Sequence, residues 1–179
     1  GSYRSAGQLQ QRPAPREGGM FKREWFPIVA EAPAIAARVR CWDNAGSDGE
    51  GDHTAGVLLA KDAHGMYYVE DVVRGQWSAQ KRDTIKLQTA MMDREKYGNG
   101  VFIHNEQEPG SAGKDVARAT GRLLAGFPVT AERSTGDKTI RAQPFAAQAE
   151  GDNVRLVSGA WNRDYLDELT VFPNGAHDD

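Results

Sequence analysis

The feature that most restricts the fold of this chain is the order in which strand-like and helix-like segments follow one another. Three segments rich in apolar, β-branched and aromatic residues come first, at 39–45, 52–61 and 66–74, and short polar turns separate them. Strands joined by such short turns form an antiparallel meander. Helix-like and strand-like segments then alternate, which predicts an α/β fold in which further strands join the meander in parallel.

The alternating part of the sequence begins with a helix that Ser78 can cap and Gly98 can end. Its expected inner face is an apolar stripe of Ile85, Thr89 and Met92. The elements expected after it are a strand at 101–106 parallel to the first strand, a helix with Val116, Ala119, Leu123 and Leu124 inside, a strand at 127–131, a helix from 138 to 149 bent or restarted at Pro144, a strand at 153–157, and a helix capped by Asn162.

Residues 1–36 have the composition of an arm rather than of a folded domain. Gln, Arg, Pro and Gly dominate its first two thirds, and Pro13 and Pro15 interrupt any periodicity. The aromatic segment 20–26 is expected to dock on the surface of the domain, either by simple packing or as a contact to a preceding domain. The sequence therefore predicts a linker over 1–36 and one domain over 37–179.

Composition limits the classes of function. The net charge is -3, so the chain lacks the overall basic character of many nucleic-acid-binding proteins, and any DNA surface must be a local cluster. The single cysteine, Cys41, lies in an apolar strand, which excludes an intrachain disulfide and favours an intracellular protein. No run approaches the roughly 18 apolar residues of a membrane span, so a membrane partner is not expected.

Carboxylates end two of the predicted strands and the sequence itself. Asp43 ends the first strand, Glu106 and Glu108 end the strand at 101–106, and Asp178 and Asp179 close the chain. Carboxylates that converge must bind cations or change their pKa, because like charges at close range repel. One cysteine and four scattered histidines give no tetrahedral zinc spacing, so Mg²⁺ or Mn²⁺ is the expected metal.

The order of the predicted elements matches a ribonuclease H-like fold, a mixed sheet flanked by helices. This arrangement places the ends of the first and fourth strands side by side. Asp43 would then lie next to Glu106 and Glu108, and the 178–179 pair would have to reach the same point.

Six short motifs run in order through nearly the whole chain: GGMFKREWF at 18–26, CWDNA at 41–45, DHTAGV at 52–57, EQEPGSAGK at 106–114, TGDKTIR at 135–141 and FPNGAHDD at 172–179. Together they resemble the C-terminal nuclease domain of the large terminase subunit of tailed double-stranded DNA bacteriophages, a motor protein that cuts and packages genomes. The resemblance implies an endonuclease that uses two metal ions and cuts double-stranded DNA with little sequence preference.

The family's first acidic position falls on Asp43 and its third on the 178–179 pair. Its second falls on Glu106 or Glu108, and the spacing to Gly113 favours Glu108. The resemblance therefore implies Asp43, Glu108 and Asp179 as catalytic residues, and Asp43, Glu106, Glu108, Asp178 and Asp179 as ligands of two Mg²⁺ or Mn²⁺ ions.

Basic residues near these acids are the expected DNA contacts. Lys138 and Arg141 lie one helical turn apart, after a turn that can present backbone N–H groups to a phosphate. Lys81 and Arg82 would form a second rim, unless they are only a solvated helix face.

The resemblance also implies partners: an ATPase domain of the same full-length chain, the small terminase subunit, the portal, and a place in the host cell cytoplasm. The sequence has no Gly-x-x-x-x-Gly-Lys-[Ser/Thr] motif, so the ATPase domain is expected outside it. Two other functions stay open. One is a docking module without activity, and the other is a ribonuclease H or Holliday-junction resolvase with the same fold.

Overall fold

The computed structural model describes residues 19–44, 53–107 and 110–175. Within these residues seven strands and four helices follow one another: β1 Ile28–Val29, β2 Ile35–Asp43, β3 Thr54–Asp62, β4 Tyr67–Gly75, α1 Ala79–Tyr97, β5 Val101–Gln107, α2 Ser111–Leu123, β6 Val129–Arg133, α3 Lys138–Glu150, β7 Val154–Val157 and α4 Asn162–Val171. None of the described helices combines the length and the apolar character needed to cross a bilayer.

The seven strands form one mixed sheet in the order β1-β7-β4-β3-β2-β5-β6. Strands β2, β3 and β4 are the antiparallel meander, while β5 and β6 extend it in parallel from β2 and β7 extends it in parallel from β4. The predicted α/β sheet is confirmed. Gly56 of β3 faces Trp42 of β2, and any Cβ there would lie 2.6 Å from the Trp42 ring, so glycine is what lets this indole lie flat on the sheet.

Aromatic residues ahead of the first long strand belong to the core. Phe21 and Phe26 are 4% and 3% exposed, and the Phe21 ring lies 5.9 Å from the rings of Phe145 and Phe172. β1 adds to this anchoring because it pairs in parallel with β7. The described part of the predicted arm, 19–36, thus contributes aromatic rings to the core, because burying them removes a large apolar surface from water.

The face of α1 toward the sheet differs from the predicted apolar stripe. Thr89 is buried and Ile85 packs against the core as predicted, but Met92 is 68% exposed, and Lys86, Ala90 and Asp93 are buried instead. The helix itself is as predicted, with Ser78 as N-cap and Gly98 as C-cap. Its inward stripe is shifted because two charged side chains of α1 find buried polar partners on β2 and β5.

An ion pair in the core joins α1 to β2. The Arg40 guanidinium is 1% exposed and donates to both carboxylate oxygens of Asp93, at 2.8 and 2.7 Å. It also lies 2.9 Å from Asp71 and donates to the Gly56 carbonyl at 3.1 Å. This bidentate contact fixes the middle of β2 against the helix.

The inner face of α2 was predicted only in part. Leu124, which follows the helix, is 1% exposed as expected, but Val116 is 40% exposed and Ala119 is also exposed. The residues that α2 buries are Gly113 and Thr120.

Polar side chains form hydrogen bonds at the starts of α3 and α4. The Asp137 side chain accepts from the Thr139 backbone N–H, and α3 runs without a restart through Pro144. Asn162 is the first residue of α4 rather than its cap, since Trp161 holds that position. Its amide instead bridges the turn between β7 and α4, accepting from the Gly159 N–H and donating to the Val157 carbonyl.

Candidate active site

Two predicted ligands lie at the ends of neighbouring parallel strands. The register of β2 and β5 pairs Trp42 with Asn105, and Asp43 and Glu106 are the next residue on each strand. Trp42 and Asn105 are buried on the side of α1. Because successive side chains alternate between the faces of a sheet, Asp43 and Glu106 belong to the opposite face, on strands about 4.8 Å apart.

Glu106 lies among further charges. The Arg141 guanidinium of α3 donates to its carboxylate at 3.0 Å, which brings a predicted DNA contact onto a predicted metal ligand. On its other side Glu106 is in register with Glu132 of β6. The Arg141 guanidinium therefore offsets part of the repulsion between these two carboxylates.

A buried lysine, not anticipated from the sequence, lies beneath the same strand ends. Lys86 is 1% exposed and donates to the side-chain oxygens of Asn44 and Asn105, at 2.5 and 2.8 Å. Its ammonium lies 5.3 Å from the centre of the Trp42 ring. The sequence signal for it is weak: Lys86, Ala90 and Asp93 share one helical stripe, but charged residues in such a stripe are usually solvated.

Burial, and to a smaller extent the positive charge of Arg82, lower the pKa of Lys86 to about 7. The carboxylates of Asp83 and Asp43 act in the opposite direction. Lys86 therefore lies within electrostatic reach of Asp43, one of the predicted ligands.

A cleft of about 180 Å³ opens at the ends of β2 and β5, next to the first turns of α1 and α2. Asn44, Asn105 and Glu106 line it from the sheet, and Arg82 and Gly113 line it from the helices. Arg82, which was predicted to contact DNA, therefore lies next to the strand ends that carry Asp43 and Glu106. These strand ends are called the acidic edge. Lys81 is exposed in the same turn of α1, and Lys138 begins α3.

The remaining predicted ligands, Glu108, Asp178 and Asp179, lie outside the described residues. Within the part of the chain that the structure describes, no three histidine, cysteine or acidic side chains form a group able to hold a metal ion. His104 contacts Thr130 at 3.2 Å rather than the carboxylates. Of the five predicted ligands, the structure therefore describes Asp43 and Glu106, whose hard oxygen donors suit Mg²⁺ or Mn²⁺.

Comparisons with known proteins agree with this fold. A family model described as the terminase RNaseH-like domain matches residues 40–179. No curated protein matches the chain.

Solved structures of similar fold include the nuclease domain of the P22 large terminase, at 12% identity and a TM-score of 0.61, over 88% of this chain and 80% of that one. The large terminase nuclease of the thermophilic phage G20c with bound zinc is 15% identical, with a TM-score of 0.58, over 89% of this chain and 91% of that one. The same G20c nuclease with bound magnesium gives 14% identity and a TM-score of 0.57, over 87% and 81%. At these identities the likeness shows the fold, and the predicted ribonuclease H-like arrangement is confirmed.

Proposed function

Since the chain belongs to the terminase RNaseH-like domain family, we propose that it is a metal-dependent endonuclease that cuts double-stranded viral DNA during genome packaging. The observation that carries the proposal is the position of Asp43 and Glu106 at the ends of adjacent parallel strands, each one residue past the paired Trp42 and Asn105. Paired carboxylates at a sheet edge with basic residues around them suit phosphodiester hydrolysis.

The proposed metal ligands are Asp43, Glu106, Glu108, Asp178 and Asp179, with Asp43, Glu108 and Asp179 as the catalytic set. Two bound Mg²⁺ or Mn²⁺ ions would supply an activated water and neutralise charge on the leaving 3′-oxygen. Arg141 offsets the negative charge of Glu106 before a cation is bound, through the 3.0 Å contact between them. The family resemblance and the oxygen donors support this set.

The proposed DNA surface is formed by helix starts around the acidic edge. Strands β4, β5 and β6 run parallel to β2, so α1, α2 and α3 all begin where β2 ends. Their first turns carry Lys81, Arg82, Lys114, Lys138 and Arg141 and no acidic residue. Cations at a helix N-terminus oppose the helix dipole by about 0.3–1 kcal/mol each, so these residues fit phosphate binding better than helix stabilisation.

Neutralising part of this surface should weaken DNA binding in a salt-dependent way. The double variant Lys138→Gln with Arg141→Gln is expected to lower the slope of log affinity against log salt by about 1.8, because each lost phosphate contact contributes about 0.9. Fluorescence anisotropy in EDTA, with two unrelated duplex sequences, measures this. Equal losses on both sequences are expected, because phosphate contacts carry no base information.

The matched control for this variant is Lys61→Gln with Lys96→Gln, two exposed lysines near the ends of β3 and α1 that lie farthest from Asp43 and Glu106. Its slope should equal that of the unmodified protein. The same slope for all three proteins would contradict the proposed DNA surface.

The proposed activity is tested by incubating supercoiled plasmid with the protein and Mn²⁺, Mg²⁺ or EDTA. We expect cleavage with either metal, none in EDTA, and products without a preferred site. An RNA–DNA hybrid and a four-way junction serve as competing substrates. Faster cleavage of either would favour a ribonuclease H or resolvase, and absence of cleavage together with tight portal binding would favour a docking module.

The proposed place of this activity is a packaging motor in the host cell cytoplasm. There the domain would act with the ATPase domain of the full-length chain, the small terminase subunit and the portal. The family assignment supports these partners.

A further inference from the structure

The Lys86 ammonium forms hydrogen bonds at the ends of both strands that carry Asp43 and Glu106. Its two acceptors are Asn44, which directly follows Asp43, and Asn105, which directly precedes Glu106. A single ammonium therefore ties the two strand ends together from the side of α1, while the carboxylates belong to the other face of the sheet.

This lysine is not explained by fold stability. It is 1% exposed, and no carboxylate of the described residues lies within ion-pair distance of its ammonium, so burial of its charge is only partly compensated by amide oxygens and the Trp42 ring. An apolar side chain of the same length would fit beside Trp42 and Ala90 without that cost. The position therefore invites a functional explanation.

We propose that Lys86 is a positioning residue for the metal site, holding the ends of β2 and β5 at the separation that lets Asp43 and Glu106 bind the same pair of divalent cations. This inference rests on the proposed function. It concerns how the strand ends are held, so Lys86 would act through Asn44 and Asn105 rather than as a metal ligand.

The dependence of Asn105 on Lys86 supports this role. Asn105 is 3% exposed, and its amide nitrogen has no hydrogen-bond partner among the described residues. Its oxygen is held by Lys86 alone at 2.8 Å. Without Lys86 nothing described would fix this side chain, and the end of β5 next to Glu106 would lose its anchor to α1 and to Asn44.

The test measures Mn²⁺ binding by the Lys86→Met variant in the absence of DNA. Electron paramagnetic resonance and calorimetry are the two readouts. Methionine keeps the length and volume of the side chain and removes the charge and the donors. We expect the Mn²⁺ dissociation constant to rise at least tenfold, the range seen when residues that orient metal ligands are lost, while the melting temperature changes by less than about 5 °C. In plasmid cleavage the half-saturating Mn²⁺ concentration should rise by the same factor, whereas a merely structural loss would lower the maximal rate at every Mn²⁺ concentration.

The matched control is Thr89→Val, a change of similar volume at another buried polar residue of α1 that belongs to no ion pair. Its Mn²⁺ affinity should stay within twofold of the unmodified value. If Lys86→Met fails to fold, Asn44→Ala removes one of the two acceptors at a partly exposed position, and a threefold or greater rise is expected there.

The outcomes separate the two proposals. Unchanged Mn²⁺ affinity in folded Lys86→Met, or in Asn44→Ala where the first variant does not fold, overturns the role of Lys86 and leaves the nuclease assignment intact. Absence of Mn²⁺ binding by the unmodified protein overturns both.

Discussion

Replacing Asp43 with asparagine is expected to reduce Mn²⁺-dependent cleavage of plasmid DNA at least about a thousandfold. Asparagine keeps the size of the side chain but loses the negative charge that Asp43 would supply as a metal ligand. A loss of about 4 kcal/mol in transition-state stabilisation corresponds to this factor, and metal-ion catalysis contributes several kcal/mol. Asp43 is partly exposed at the end of β2, so the fold should be retained. Initial rates at saturating Mn²⁺, with circular dichroism as the check of folding, measure the effect.

The control for Asp43 is Glu132→Gln. Glu132 is an exposed acid on the strand next to Glu106 and in register with it, but it is not a proposed ligand. Its rate should stay within about threefold of the unmodified protein, as expected of a surface charge that changes only long-range electrostatics. A folded Asp43→Asn protein that cleaves plasmid DNA as fast as the unmodified protein would contradict the assignment of the active site.

The largest loss of stability is expected from Arg40→Met. It leaves Asp93 buried without its bidentate partner and removes the contacts to Asp71 and to the Gly56 carbonyl. Breaking a buried ion pair on one side costs about 3–5 kcal/mol, because the remaining charge is uncompensated. The free energy of unfolding from urea titration measures this, with an unchanged dependence on urea concentration as the sign of a common unfolded state.

Arg23→Met is the matched control, because Arg23 pairs with Asp167 where both side chains are about half exposed. Such a surface pair contributes about 0–1 kcal/mol. The double variant Arg40→Met with Asp93→Leu should recover much of the loss, since an apolar pair of similar volume replaces a buried ion pair at little cost. Equal destabilisation by Arg23→Met and Arg40→Met would show that burial does not set the strength of the core pair.

Asp43 and Glu106 could be proposed as ligands from the sequence alone. The charged residues around them could not. A carboxylate at the end of a strand is visible in the sequence, and the strand order places the ends of β2 and β5 together. The contact between Arg141 and Glu106 and the bridge of Lys86 involve residues 35 and 19 positions apart in the chain. No periodicity reports such pairs, since each depends on how helices lie against the sheet.

The sequence by itself determined where most elements begin and end. The cap at Ser78, the stop at Gly98 and the alternation of strands and helices are local signals that act over a few residues. Only the tertiary structure decided that Lys86 and Asp93 face inward while Met92 faces solvent, and that Phe21 belongs to the core. The reason is physical: whether a charge or a ring is buried depends on partners contributed by other elements, and those partners exist only once the chain has folded.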